Sequence, residues 1–268
     1  MFELLDYSFF RNALLGVLIL SIGAGILGSY IVTRRMVSIS GGITHACFGG
    51  LGLGYFAGVS PILTAALFAV GAALGVQWLS WRDRVREDSA IAVVWAAGMA
   101  VGVLFVFLTP GAVPELNSFL FGNILTITRA DLWAFGLFTV ALAAFFAVYF
   151  RQIVAVAFDP DFARVSRLRV KLISTAMTVF IAVGIVLMIR CVGIMLLMSM
   201  LTLPQLTAEI FCNRFRSMIF GSIAVSAVGC VGGLLAATQV DVPASAFIVF
   251  IQAAIYAAAI VVRRLLIR

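Results

Sequence analysis

The chain has 268 residues, 64% of them hydrophobic and 11% charged, and its mean hydropathy is +1.19. A soluble domain of this length could not bury so much apolar surface, so the composition predicts an all-α protein that crosses a membrane repeatedly. The 18 basic and 11 acidic residues give a net charge of +7. The basic residues stand in short groups between apolar runs, which is typical of cytoplasmic loops and argues against nucleic-acid binding.

Motifs for ATP hydrolysis, disulfides and secretion are missing from the sequence. Lys171 follows no glycine-rich phosphate-binding loop, so any ATP hydrolysis would belong to a separate subunit. The four cysteines include no closely spaced pair, which disfavours a disulfide framework or a structural zinc site. Glu3 and Asp6 precede Arg11, an order opposite to that of a cleaved signal peptide.

Apolar runs predict the spans in chain order, after an interfacial lead-in at 2–10. About nine spans are expected (eight to nine), within a single transmembrane domain covering 1–268. Their predicted ranges are 12–33, 39–58, 62–81, 90–108, 132–150, 172–189, 192–211, 217–238 and 244–262. Segment 115–131 is less apolar and is interrupted by asparagine and glycine, so it is predicted to be re-entrant or interfacial.

The basic groups predict the orientation, because positively charged loops are retained in the cytoplasm. An outer N-terminus and an odd number of spans place the C-terminus and the large basic groups on the cytoplasmic side. These groups lie at 34–35, 82–86, 151–171, 214–216 and 263–268. Arg190 is the main exception to this arrangement, and Arg129 is a lesser one.

The second span carries small residues at four-residue spacing, which would let a neighbouring helix approach almost to backbone contact. This ridge consists of Gly42, Ala46, Gly50, Gly54 and Gly58. His45, the only histidine of the chain, lies beside it, flanked by Thr44 and Cys47. A histidine within a span normally faces protein or a wet cavity, so His45 is a candidate pathway residue. The alternative is a histidine that bonds a neighbouring carbonyl.

A polar segment at 158–168 separates the fifth and sixth predicted spans. Asp159 is suited to cap a helix, Pro160 fits its first turn, and Asp161 favours the positive end of the helix dipole. The pattern predicts a short helix on the cytoplasmic face. Such a helix is either an ordinary amphipathic connector or a docking element for a cytoplasmic partner.

Several short motifs occur together in a characteristic order. They are Gly28–Val32 with Arg34-Arg35-Met36, Thr44-His45-Ala46, Phe119–Gly122, Phe158–Ala163, Leu203-Pro204 and Asp241-Val242-Pro243. Through these motifs, the chain resembles over nearly its whole length the permease subunits of ATP-binding-cassette importers for zinc, manganese and iron.

The resemblance implies a homodimer of permeases. A cytoplasmic ATP-binding-cassette ATPase would drive it, and an extracytoplasmic metal-binding protein would deliver the ion. The chain would not be an enzyme by itself: ATP would act in the partner, and a divalent metal would pass as substrate without a permanently bound cofactor. The location would be the bacterial plasma (inner) membrane. By this resemblance His45 matches the pathway histidine, and the coupling segment for the ATPase comprises Asp159, Pro160, Asp161, Phe162 and Ala163. Asp241, in an outer loop, is a candidate contact for the binding protein.

Three residues depart from the family pattern. Gly41 stands where an aspartate usually precedes the histidine by one turn; Arg167 replaces a glycine, and Glu209 a basic residue. Without that carboxylate a hard ion such as manganese loses an oxygen ligand, whereas imidazole still suits zinc, so zinc is the favoured substrate. Two His45 side chains of a dimer, helped by Thr44, Cys47 or water, would form a looser site.

The alternative function is an ion- or proton-coupled secondary metal transporter or a channel. Such proteins usually carry ionisable groups within their spans, and here Glu209 is the acidic residue predicted within an apolar run. An intramembrane enzyme is disfavoured, because one histidine without a carboxylate pair or a zinc-ligand cluster gives little catalytic chemistry.

Overall fold

The computed structural model describes residues 6–82, 86–110, 122–240 and 242–266. Within these ranges the chain consists of helices joined by short turns, with no β-strand. The helices are α1 (Ser8–Thr33), α2 (Val37–Ala57), α3 (Pro61–Arg82), α4 (Glu87–Leu108), a 3₁₀ helix (Ile124–Thr126), α5 (Arg129–Phe158), α6 (Pro160–Val165), α7 (Val170–Met200), α8 (Leu203–Phe211), α9 (Phe215–Val240) and α10 (Ala244–Leu266).

Seven helical segments of the described chain are long and apolar enough to cross a membrane, which confirms the all-α membrane class. The predicted count of eight to nine spans is not confirmed. The second predicted span is a helix of 21 residues, α2, but glycines and His45 lower its hydropathy and it is not among the seven. The sixth and seventh predicted spans are joined, because 170–211 forms one apolar stretch across α7 and α8.

Two predicted boundaries between spans need correction. The fifth span was expected to end at Phe150, yet α5 continues to Phe158 because Ile153 and Val156 are fully buried on its last turns. The sixth span was expected to end before Arg190, yet α7 runs through it and departs from helical geometry at Gly193 (φ 76°, ψ 170°). This conformation strongly favours glycine, which has no Cβ.

The contacts divide the chain into two compact units. The first contains α1, the 3₁₀ helix, α5 up to Ala157, the end of α7 from Leu187, and α8 to α10. In this unit α1 contacts α8, α9 and the 3₁₀ helix. Buried residues make up 72% of the apolar window of α1, so this helix is part of the core rather than of the lipid-facing surface.

Small residues and one glutamine explain the close packing of α1. A Cβ at Gly25 would overlap Ile223 of α9, and one at Gly28 would overlap the side chain of Gln205 in α8. The Gln205 amide nitrogen donates to the Ala24 carbonyl at 2.9 Å and to the Met200 carbonyl at 3.0 Å. This side chain therefore connects α1 to the last turn of α7, whose carbonyls lack partners within the helix.

The second unit contains α2, α3, α4, α6 and the first part of α7. Its α2 contacts both α3 and α4. A polar contact joins α3 to α7: Gln77 donates to the Ser174 hydroxyl at 2.9 Å and accepts from the Thr175 hydroxyl at 3.3 Å. Only 17% of the apolar window of α4 is buried, so most of this helix presents an apolar surface for lipid or another chain.

Candidate functional site

The His45 ring lies flat against an aromatic side chain of α4. Its centroid is 4.5 Å from that of Trp95, with 7° between the planes, and 6.4 Å from that of Phe48. The residue is half-buried. Its Nδ1 atom is buried and has no hydrogen-bond partner among the described residues. The ring is therefore positioned by stacking, and Nδ1 does not bond a neighbouring carbonyl within the described chain.

The two neighbours proposed to assist His45 point elsewhere. The Thr44 hydroxyl donates to the Ser40 carbonyl at 2.5 Å, and the Cys47 thiol donates to the Ile43 carbonyl at 3.0 Å. Both side chains are buried. Successive helix positions turn by about 100°, so residues 44, 45 and 47 face different directions. The fold thus commits Thr44 and Cys47 to their own helix, and His45 is the half-buried side chain of the three.

A complete metal site is not formed by the described part of one chain. No group of three or more His, Cys, Asp or Glu side chains in it could hold an ion together. Gly41, one turn before His45, contributes no side-chain ligand. The described residues therefore provide fewer than three such side-chain ligands at His45.

The small-residue ridge of α2 packs against two neighbouring helices, α4 and α3. A Cβ at Gly42 would overlap Ile91 of α4, and the Ala46 backbone is so close to Gly98 of α4 that a Cβ there would lie 2.7 Å from the Ala46 Cα. A Cβ at Gly50 would lie 2.6 Å from the Ala65 Cα of α3. Positions four residues apart drift by about 40° around a helix, so the ridge turns from α4 towards α3.

The far end of the ridge has a different role from the rest. A Cβ at Gly54 would lie 2.6 Å from the Pro61 Cα at the start of α3. A Cβ at Gly58 would meet nothing within 4 Å, and this residue caps α2 with a left-handed backbone (φ 66°). It therefore ends the helix, and its place on the ridge does not reflect helix packing.

A second line of glycines beside His45 was not recognised in the sequence. A Cβ at Gly49 would lie 2.9 Å from the Gly98 carbonyl oxygen, and a Cβ at Gly52 would overlap the Gly102 backbone. Gly98 and Gly102 form a four-residue glycine spacing on α4, which is the signal that could have identified this partner. The near-backbone contact brings Trp95 of α4 within reach of the His45 ring.

The polar segment after α5 folds as its sequence predicts. Asp159 caps α6, accepting from the amides of Asp161 at 3.1 Å and Phe162 at 2.8 Å. Pro160 occupies the first turn. Asp161 pairs with Arg164 at 2.9 Å on the exposed surface, and Ala163 is fully buried. The short helix is therefore fixed at its start by the predicted cap and anchored by one small side chain.

Arg167 closes α6 in place of the expected glycine. It adopts a left-handed backbone (φ 56°) and donates its amide to the Arg164 carbonyl at 3.0 Å. The Leu168 amide donates to the Ala163 carbonyl at 3.0 Å. These are the two bonds of a Schellman motif, so the arginine preserves the helix end at the cost of backbone strain.

Large apolar side chains around α6 are open to solvent. Phe158 is 64% exposed, Phe162 62% and Val165 83%. Exposed apolar side chains beside charged ones mark surfaces that bind other proteins or lipid. These side chains are therefore available for contact with another protein or with lipid.

An ion pair at the start of α5 was also not recognised in the sequence. Asp131 is 7% exposed and lies 3.2 Å from the Arg190 Nε atom of α7. Asp131 also accepts from the Thr128 amide at 3.0 Å and hydroxyl at 2.6 Å, while the Asp131 amide donates to the Thr128 hydroxyl at 3.2 Å. This is a reciprocal capping box, and its Thr-x-x-Asp spacing is visible in the sequence.

Some predicted residues lie outside the described chain. Asp241, the candidate contact for a binding protein, is one of them, as is the first part (115–121) of the expected re-entrant segment at 115–131. Within the described part, 122–128 holds the 3₁₀ helix and Gly122 (φ 60°). Glu209 lies on α8 within the apolar stretch 170–211, and its side chain is exposed.

Long apolar helices that pack through small residues define this chain as a polytopic helical membrane protein. Its sequence matches the family model described as the ABC 3 transport family over residues 6–263. The chain belongs to the ABC 3 transport family.

Individual relatives extend this assignment over nearly the full length. The chain is 32% identical to an uncharacterised membrane protein of Synechocystis sp., covering 98% of this chain and 94% of the relative. It is 30% identical to the manganese transport system membrane protein MntC of Halalkalibacterium halodurans, covering 96% and 88%. It is also similar to the solved structure of PsaBC from Streptococcus pneumoniae in complex with Fab, with a TM-score of 0.84 and 26% identity, covering 96% and 94%.

Proposed function

We propose that the chain is the membrane permease subunit of an ATP-driven importer of divalent metal ions. The observation that carries the proposal is the family match over 6–263, supported by a relative named as a manganese transport protein. The sequence contains no phosphate-binding loop of its own, so ATP would be hydrolysed by a separate cytoplasmic ATPase. The permease itself would then be no enzyme.

The partner ATPase would dock at α6. Its capped start, buried Ala163 and exposed Phe162 make it an ordered helix with an exposed apolar side chain, between α5 and α7 in the chain. An ordered helix suits this role because nucleotide-driven movement of the ATPase must be transmitted to the spans rather than absorbed by a flexible loop. Two permeases would form a homodimer, with an extracytoplasmic binding protein supplying the ion and Asp241 as a candidate contact.

The translocation pathway would pass His45, with zinc as the preferred ion. The basis for zinc is chemical: Gly41 brings no carboxylate, and an imidazole nitrogen is a good ligand for zinc and a poor one for manganese. The buried Nδ1 atom, without a partner among the described residues, supports a role in transient binding. The relative named for manganese makes that ion the competing substrate.

A secondary transporter or channel is the alternative, and buried ionisable residues are what it would need. Among the described residues Asp131 is the buried carboxylate, and it pairs with Arg190 and caps α5. This residue is thus engaged in structural contacts. Because this buried carboxylate is already engaged, an ATP-driven transporter is better supported than a proton-coupled one.

The test is uptake of zinc, manganese and iron, in parallel, by the permease reconstituted with its ATPase in liposomes. We expect ATP-dependent uptake of zinc above the other ions, and a loss of about tenfold or more in His45→Ala, because the change removes the pathway imidazole. Tyr55→Phe, a half-buried position on the same helix, serves as the matched control and should retain uptake.

Two outcomes would contradict the proposal. Equal uptake by His45→Ala and wild type removes His45 from the pathway. Full-rate uptake without nucleotide supports the secondary transporter instead. Gly41→Asp adds the missing carboxylate one turn from His45 and should shift preference towards manganese if the two positions share a site.

A further inference from the structure

A groove of about 730 Å³ in the first unit combines apolar walls with two arginines. Its walls are built from α1, α5 and α9, and include Ile22, Phe146, Ile219 and Phe220. At one end stand Arg151, Gln152 and Arg216. The groove is therefore amphipathic along its length, with a long apolar part and a short cationic part.

The chain direction places both arginines near the same membrane boundary. Arg151 lies in the last turns of α5, close to its end at Phe158, and Arg216 lies in the first turn of α9. These ends belong to the side that the basic loops predict to be cytoplasmic. A guanidinium at this depth can meet a lipid phosphate while the groove below it faces acyl chains.

The charges of the two arginines are not used within the described chain. Both are exposed, and neither takes part in an ion pair among the described residues, where the pairs are Arg164–Asp161 and Arg190–Asp131. Arginine is well matched to phosphate, because its planar fork donates to two oxygens at once. The end of the groove thus has positive charge and hydrogen-bond donors available for an anion.

The apolar walls indicate which anion-bearing molecule fits. A free phosphate would gain nothing from Ile22, Phe146 or Phe220, whereas an amphiphile would cover them. Phe220 is 63% exposed and Val148 74%, so the wall has apolar surface that the described chain leaves uncovered. The Tyr149 backbone, which departs from helical geometry (φ −104°, ψ 15°), lies in the same wall.

We propose that this groove binds one anionic phospholipid from the cytoplasmic leaflet, with its phosphate between Arg151 and Arg216 and an acyl chain along α1, α5 and α9. The binding site is independent of the transported ion and of His45. It requires only that the chain spans a membrane that contains anionic lipid.

Native mass spectrometry of the purified full-length permease, titrated with phosphatidylglycerol or phosphatidylcholine, tests the proposal. We expect tighter retention of phosphatidylglycerol, and a loss of about tenfold or more in the double variant Arg151→Gln, Arg216→Gln. The matched control is Arg263→Gln, Arg264→Gln, which removes the same charge from exposed positions at the end of α10 and should keep the preference.

Two further arms keep the test decisive if the double variant does not fold. A photoreactive phosphatidylglycerol should label wild-type peptides that contain 143–152 and 216–223, and soluble glycerol 3-phosphate should not compete. Labelling elsewhere, equal loss in the control pair, or equal binding of phosphatidylcholine would overturn the proposal. Competition by glycerol 3-phosphate would assign the arginines to a soluble anion, and protection of the groove by a second copy would assign the surface to the dimer.

Discussion

A single ion pair explains why Arg190 departs from the charge pattern of the rest of the chain. The orientation inferred from basic loops puts Arg190 on the outer side, where positive charge is disfavoured. The Asp131 carboxylate 3.2 Å away compensates that charge. Sequence reasoning could not pair them, because 58 residues separate them in the chain and they come together only in the folded bundle.

We expect this pair to contribute about 1 kcal/mol to stability, since the Asp131 side chain is buried but that of Arg190 is 47% exposed. The measurement is a double-mutant cycle on thermal or denaturant unfolding with Asp131→Asn, Arg190→Gln and the double variant. Arg129→Gln, an exposed neighbour on α5, is the control and should change stability little. Additive effects of the two single variants would show that the pair carries no interaction energy.

At the level of helices, glycine spacing predicted close packing of α2 but not its partners. The ridge from Gly42 to Gly54 packs closely against α3 and α4, whereas Gly58 ends the helix. A regular spacing gives the face of one helix only; the facing helix depends on tertiary structure. The same limit applies to α7, where apolar residues on both sides of Arg190 favoured two separate spans.

Replacement of glycine by alanine should have opposite effects at a packed position of α2 and at an open position of α3. Gly52→Ala should destabilise the protein by about 1–3 kcal/mol, because the new Cβ overlaps the Gly102 backbone, which cannot rotate away. Gly71→Ala in α3 meets nothing within 4 Å and should be neutral or stabilising by about 1 kcal/mol through helix propensity. The readout is the melting temperature in detergent. A stable Gly52→Ala protein would show that α2 and α4 are not in backbone contact.

The short helix α6 was the element that the sequence predicted best, since its cap, first-turn proline and acidic residue are all local features. Its role as a docking surface is a separate proposal. Phe162→Ala should weaken binding of the ATPase by roughly tenfold, because a large exposed aromatic is lost from the interface. Phe250→Ala, on α10 with a similar exposure of 69%, is the matched control. Affinity is measured between purified permease and ATPase; equal binding of both variants would remove α6 from the interface.

At the scale of the whole molecule, the family and the helical class are assigned, and the orientation in the membrane then decides the mechanism. An importer driven from the cytoplasm requires α6 on the cytoplasmic side, and the basic group at 151–171 predicts that placement. The outer loops would then include Val242 and Pro243, which are both exposed. Both placements follow from one predicted orientation of the chain, so reversing that orientation would move α6 to the outside and this loop to the cytoplasm.

Accessibility of single cysteines checks this arrangement. In a chain whose four native cysteines are replaced by alanine, Asp161→Cys should react with a membrane-impermeant maleimide only after the cells are opened. Val242→Cys should react in intact cells. Both side chains are exposed, so a failure to react reports the side of the membrane rather than burial. Labelling of position 161 from outside would place α6 beyond the reach of any cytoplasmic ATPase, and the ATP-driven mechanism could not operate through this helix.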